Sequence, residues 1–316
     1  PHCPDWGVMA RFVVGPIRAH AQRGGIMRRI VLIGIIGLLS QFIDGSLGMA
    51  YGATTATLLL VVGISPVITS MLVHLAEIGT TFVSGVAHHR FGNVDWRMVR
   101  WLGVPGSVGA ILGAYVLTNL NAAVARPWMA CFLFAVGVFI LVTYSLRRDH
   151  VLQLHRQLRA RFLVPLGLFA GFFDAAGGGG WGPVGTSTLL ASRRVEPRKV
   201  VGTIDTSEFL IAASASAGFL LSRGTADVPW AYVLALLAGG LIAAPIAAWL
   251  VRKLHPRVLG TAAGGVIAIT NLRTVLGLAG VGGGASTTTL VFVIVSWLAL
   301  LTVTIVRLRR MGHRIV

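Results

Sequence analysis

Charge is what this sequence has least of. Only 12% of its 316 residues are charged, and just 10 of them are Asp or Glu. A water-soluble domain carries roughly twice that charged fraction, which argues against a soluble fold from the outset. Cysteine is nearly absent: Cys3 lies in a mixed N-terminal stretch and Cys131 inside an apolar run. Two thiols so placed give neither a disulfide framework nor metal-ligand spacing, so no redox chemistry, cofactor or metal site is expected. Lysine is limited to Lys199 and Lys253, and the other basic residues are Arg, giving a formal net charge of +17. Those arginines sit in short clusters flanking apolar runs, such as Arg28 and Arg29, Arg147 and Arg148, and Arg307, Arg309 and Arg310. Such placement suits headgroup contact and orientation in a bilayer, and nothing in it points to nucleic acid.

What the chain has instead is apolar length: 55% hydrophobic residues and a mean hydropathy of +0.80. Apolar runs fall at about 30–62, 66–87, 98–118, 127–145, 162–191, 199–221, 229–251, 258–279 and 287–306. Most match the roughly 20 residues a helix needs to cross the hydrocarbon core. The expected fold class is therefore an all-α polytopic membrane protein of about 8–9 hydrophobic segments. Residues 1–29 read as a basic tail without the continuous apolar stretch of a secretory leader. The distribution of Arg among the loops fits a cytoplasmic N-terminus, in a cell (inner or plasma) membrane crossed many times.

Two runs, 30–62 and 162–191, are too long for one straight span, and they resemble each other. Phe42, Asp44, Gly48 and Gly52 map onto Phe172, Asp174, Gly178 and Gly182 at a shift of 130, and Tyr51 meets Trp181. Further on, Pro66 maps onto Pro197 and Glu77 onto Glu208 at a shift of 131. The organisation implied is two homologous repeats, 30–145 and 162–279, joined by a basic linker at 146–161 and followed by a C-terminal helix and basic tail at 280–316. Each repeat would open with a Gly-interrupted, broken or re-entrant first helix. Internal duplication with paired interrupted helices is frequent among secondary transporters, whose sites lie where the two breaks meet.

Asp44 lies 15 residues after Arg29, roughly 22 Å into a continuous helix. A carboxylate at that depth is costly and marks a pathway or a partner. Asp44, Gly45, Ser46, Gly48 and Gly52, with Asp174, Gly177, Gly178, Gly179 and Gly182, are the candidate substrate pathway. The competing reading is that Asp44 and Asp174 cap half-helices while the glycines allow close packing. His74, Glu77, Asp205 and Glu208 form a second polar cluster, with His74 and Asp205 each three residues before a glutamate. Ionisable pairs inside spans suit proton or ion coupling, or else a buried hydrogen-bond network. No residue set reads as catalytic. His88, His89 and Arg90 read as an interfacial loop.

The paired glycine-rich segments, together with Arg90-Phe91-Gly92-Asn93-Val94-Asp95-Trp96, resemble the sulfite exporter TauE/SafE family, which includes 4-toluene sulfonate uptake-type permeases. The resemblance covers about residues 30–306. It departs at Asp44–Gly52, where this chain lacks a triple-glycine run. It implies a secondary transporter of a small anion, such as sulfite, a related sulfur oxyanion or an organosulfonate, working by alternating access between the repeats. The implied partners are that anion, the lipid bilayer and a coupling proton or ion, and the family admits a homodimer. The buried acids keep open a cation or proton channel or permease, or a non-transporting membrane subunit.

Overall fold

The computed structural model describes residues 26–44, 49–146, 158–192, 194–226, 228–250 and 256–310. Every regular element among them is helical. In chain order they are α1 (Ile26–Asp44), α2 (Tyr51–Val61), α3 (Pro66–Arg90), α4 (Trp96–Asn119), α5 (Ala122–Leu146), α6 (Ala160–Gly177), α7 (from Trp181 to Ala191), α8 (Pro197–Arg223), α9 (Trp230–Leu250), α10 (Pro256–Leu278) and α11 (Gly283–Arg310). Eight of these are long and apolar enough to cross a membrane.

Both long apolar runs are interrupted. The first splits into α1 and α2, the second into α6 and α7. At the second break Gly178 (φ 79°) and Gly179 (φ 145°) take backbone conformations that side chains disfavour. The Gly178 N–H closes on the Asp174 carbonyl at 2.8 Å, ending α6 with a left-handed cap. Gly45, Ser46 and Gly48, named above as pathway candidates, lie outside the described residues.

Small residues set how closely the helices approach. Gly109 and Gly113 of α4 lie against the backbone of Leu168 and Phe172 in α6, and Gly167 and Gly171 of α6 lie against Leu102 and Gly106. Gly37 of α1 lies against the Leu236 backbone of α9 and Gly239 of α9 against Gly34 of α1, and Gly137 of α5 and Gly264 of α10 lie against each other's helices in the same manner. Lipid tails are as apolar as leucine, so such contacts hold helices together by packing rather than by water exclusion. α3 packs against α8 and α9, and α8 packs also against α4.

The segment between α3 and α4 is a built turn. Gly92 has φ 68°, and Asp95 Oδ1 accepts from the N–H groups of Arg97 (3.0 Å) and Met98 (3.1 Å), capping α4. His88, His89 and Arg90 are not loop residues: they form the last turn of α3, where basic side chains suit the negative end of the helix dipole.

Candidate functional site

The two helix breaks touch. A Cβ on Gly52 would lie 2.8 Å from Gly179 Cα, and one on Gly182 would lie 2.8 Å from Met49 Cα. These glycines bring two backbones together and leave no lumen at that point. Gly177 packs on the Phe132 ring, and Gly178 on Met129 and Ala56. Of the described pathway glycines, Gly52, Gly179 and Gly182 meet at the crossing, while Gly177 and Gly178 face neighbouring side chains.

Each break is bound by its aspartate in the same pattern. Asp44 Oδ1 accepts from the N–H of Ala50 (2.7 Å) and of Tyr51 (3.1 Å). Asp174 Oδ1 accepts from Gly180 (2.6 Å) and Trp181 (2.9 Å). Both carboxylates therefore reach six and seven residues ahead to cap the following half-helix, neutralising donors that an incoming anion would otherwise use.

Their remaining surroundings differ. Asp174 is 2% exposed, and its Oδ2 meets His74 Nε2 at 3.0 Å. His74 Nδ1 lies 2.7 Å from the Ser70 carbonyl, which only accepts, so Nδ1 carries a proton and donates it there. Ser70 Oγ in turn donates to the Ala175 carbonyl at 2.6 Å. Asp44 instead borders a cavity of about 540 Å³.

That cavity lies among α1, α2, α3, α8 and α9, and its ionisable lining is Asp44, Glu77, Asp205, Glu208, Tyr51 and His88. Among the described residues four carboxylates face it, and no Lys or Arg does. Asp205 Oδ2 lies 3.8 Å from His88 Nε2. Glu77 connects this cavity to the buried pair. It is 2% exposed, its Oε1 sits against Gly52, and its Oε2 has no hydrogen-bond partner among the described residues. His74, Glu77 and Asp174 each present a ligand-type atom within 4.8 Å of the others.

The polar cluster inferred from the sequence thus divides. Glu77, Asp205 and Glu208 share the cavity, while His74 turns from Asp205, which it meets at the sequence shift of 131, to Asp174. Sequence reasoning missed Thr80, Thr81, Ser84 and His88 as lining residues. A signal for them existed: Glu77, Thr81, Ser84 and His88 recur at helical spacing on one face of α3. Arg273, a basic residue in a late span, is exposed on α10 rather than turned inward. Arginine gathers elsewhere, around a second cavity of about 530 Å³ lined by Arg159, Arg161 and Arg194.

Against this geometry, the family described as "Sulfite exporter TauE/SafE" matches residues 33–274. The chain belongs to that family. It is a multi-pass membrane transporter, and the matched stretch runs from α1 almost to the end of α10, leaving α11 outside. A "Probable membrane transporter protein YtnM" of Bacillus subtilis (strain 168) is 53% identical over 251 residues, 79% of this chain and 84% of that protein. A "Probable membrane transporter protein" of Haemophilus influenzae is 24% identical over 208 residues, covering 61% of this chain and 74% of that one. No solved structure matches the chain.

Proposed function

We propose that this transporter moves a small sulfur oxyanion or organosulfonate through the cavity beside Asp44, always in company with protons. The observation that carries the proton requirement is the lining, among the described residues, of four carboxylates with no Lys or Arg. An anion entering such a space meets like charge, which costs several kcal/mol in a low-dielectric site. Protonation of Glu208, Asp205 and Asp44 removes three of those four charges and ties the anion to a proton flux. The family description supports the anionic cargo.

In this reading the chain consists of repeats 30–145 and 162–279, and their relative movement alternates access. The common bonding of Asp44 and Asp174 to the residues six and seven ahead supports that division. The same acid lining favours one second reading, in which the cargo is itself a cation.

Proteoliposome flux separates the two. With sulfite, thiosulfate and an aryl sulfonate offered in turn, uptake of at least one anion is expected to rise as the outside is acidified. Glu208→Gln is expected to abolish the acceleration by the pH gradient while leaving the protein folded. Flux of cations alone, indifferent to every anion, would establish the second reading. Anion flux that ignores the pH gradient would end the first.

A further inference from the structure

The buried triad beside the cavity has the construction of a ligand site. His74 Nε2, Asp174 Oδ2 and Glu77 come from α3 and α6 and converge within 4.8 Å. None is more than 2% exposed. Two of the three are oriented by their other polar atom. His74 donates from Nδ1 to the Ser70 carbonyl at 2.7 Å, and Asp174 Oδ1 is held by the Gly180 and Trp181 N–H groups. An imidazole fixed through Nδ1–H to a backbone carbonyl presents Nε2 outward, as metal-ligating histidines do.

Glu77 supplies the independent observation. Its Oε2 is buried without a hydrogen-bond partner among the described residues, and an unpaired buried carboxylate oxygen forgoes the solvation it had in water. One oxygen of the same carboxylate lies within 4.8 Å of a ligand-type atom of His74 and of Asp174. Glu77 also lines the cavity, where Asp44, Asp205 and Glu208 would concentrate cations at its approach.

We propose that His74 Nε2, Asp174 Oδ2 and the Glu77 carboxylate form a binding site for a divalent transition-metal cation, reached from the acid-lined cavity. One neutral imidazole and two carboxylates balance a charge of two. A nitrogen among the ligands selects the zinc, cobalt or manganese class over calcium or magnesium. The ion would clamp α3 to the end of α6, beside the second helix break. This site stands apart from the identity of the transported anion, because its test measures binding without flux.

The test uses the full chain, purified in detergent without a polyhistidine tag, stripped with chelator and titrated with Co²⁺ as a spectroscopic probe. One equivalent of Co²⁺ is expected, with visible d–d absorption that Zn²⁺ displaces. Glu77→Gln and His74→Asn are each expected to weaken Co²⁺ binding at least tenfold. Glu208→Gln and Asp205→Asn should bind within about twofold of the parent. Glu77→Gln is nearly isosteric and carries the test if His74→Asn does not fold. Absence of Co²⁺ uptake by a monodisperse parent protein overturns the proposal. So does binding that survives Glu77→Gln but fails in Glu208→Gln, which would put the ion in the open cavity.

Discussion

One carboxylate, Asp174, does two jobs at once. Its Oδ1 caps the half-helix that follows, and its Oδ2 faces His74 across α3. Asn at this position keeps an oxygen for the Gly180 and Trp181 N–H groups and offers an amide to His74 Nε2, whereas Ala keeps neither. Removing one member of a buried pair typically costs about 3–5 kcal/mol. Asp174→Ala is therefore expected to unfold at a clearly lower temperature in detergent than Asp174→Asn, as read by tryptophan fluorescence. Equal melting of the two variants would remove the His74 contact from the account. At this scale the depth and repetition of Asp44 and Asp174 were legible in the sequence, and so was the alternative that they cap half-helices. The partner of Asp174 was not. His74 is 100 residues away, and the sequence shift of 131 aligned it with Asp205 instead, because a recurring pattern reports which residues correspond and says nothing of which ones touch.

Helix breaks and turns show where glycine is obligatory. Gly179 joins a φ of 145° to backbone contact with Gly52 and Ala53, so a methyl group there strikes main chain that cannot move aside. Gly63 also has a positive φ, 87°, but open space around it. Gly63→Ala is expected to cost about 1 kcal/mol, from backbone conformation alone. Gly179→Ala should cost several times that and separate the two breaks, seen as a large fall in thermal stability or in the yield of monodisperse protein. Comparable stability for the pair would mean that the breaks do not pack as described. The two interruptions were legible from length and glycine content, and the Gly92–Trp96 motif marked a turn whose chemistry is now plain: a positive-φ glycine and an Asp95 cap. The helix α11 was legible as an apolar run at 287–306, but its packing partner was not. It docks chiefly on α10, where Trp297 Nε1 donates to the Thr261 carbonyl at 2.9 Å and its ring lies over Gly265.

Across the whole molecule, five of the positions that the sequence shifts of 130 and 131 pair with the cavity's lining are filled. The repeat shifts carry Tyr51, Thr80, Thr81, Ser84 and His88 onto Trp181, Ile211, Ala212, Ala215 and Phe219. The first five line the cavity; the second five are all 0% exposed. Trp181 further locks its side by donating Nε1 to the Ile204 carbonyl at 3.1 Å. Hydroxyls and an imidazole on one side stand against indole, phenyl and methyl groups on the other. Polar side chains tolerate water, while a packed apolar layer excludes it. A path through the protein must therefore part the layer around Trp181 and Phe219 at some step of the cycle. Substituted-cysteine labelling puts this to the test in a background lacking Cys3 and the exposed Cys131. At rest, Ser84→Cys and Thr80→Cys should react with a water-soluble maleimide, while Ala212→Cys and Ala215→Cys should not. Under turnover with a transported anion, the second pair is expected to gain reactivity as the first pair loses it. Equal labelling of both pairs at rest would mean a continuous pore. Second-pair reactivity that never changes during measured transport would place the path elsewhere and leave the Trp181 layer a permanent part of the core.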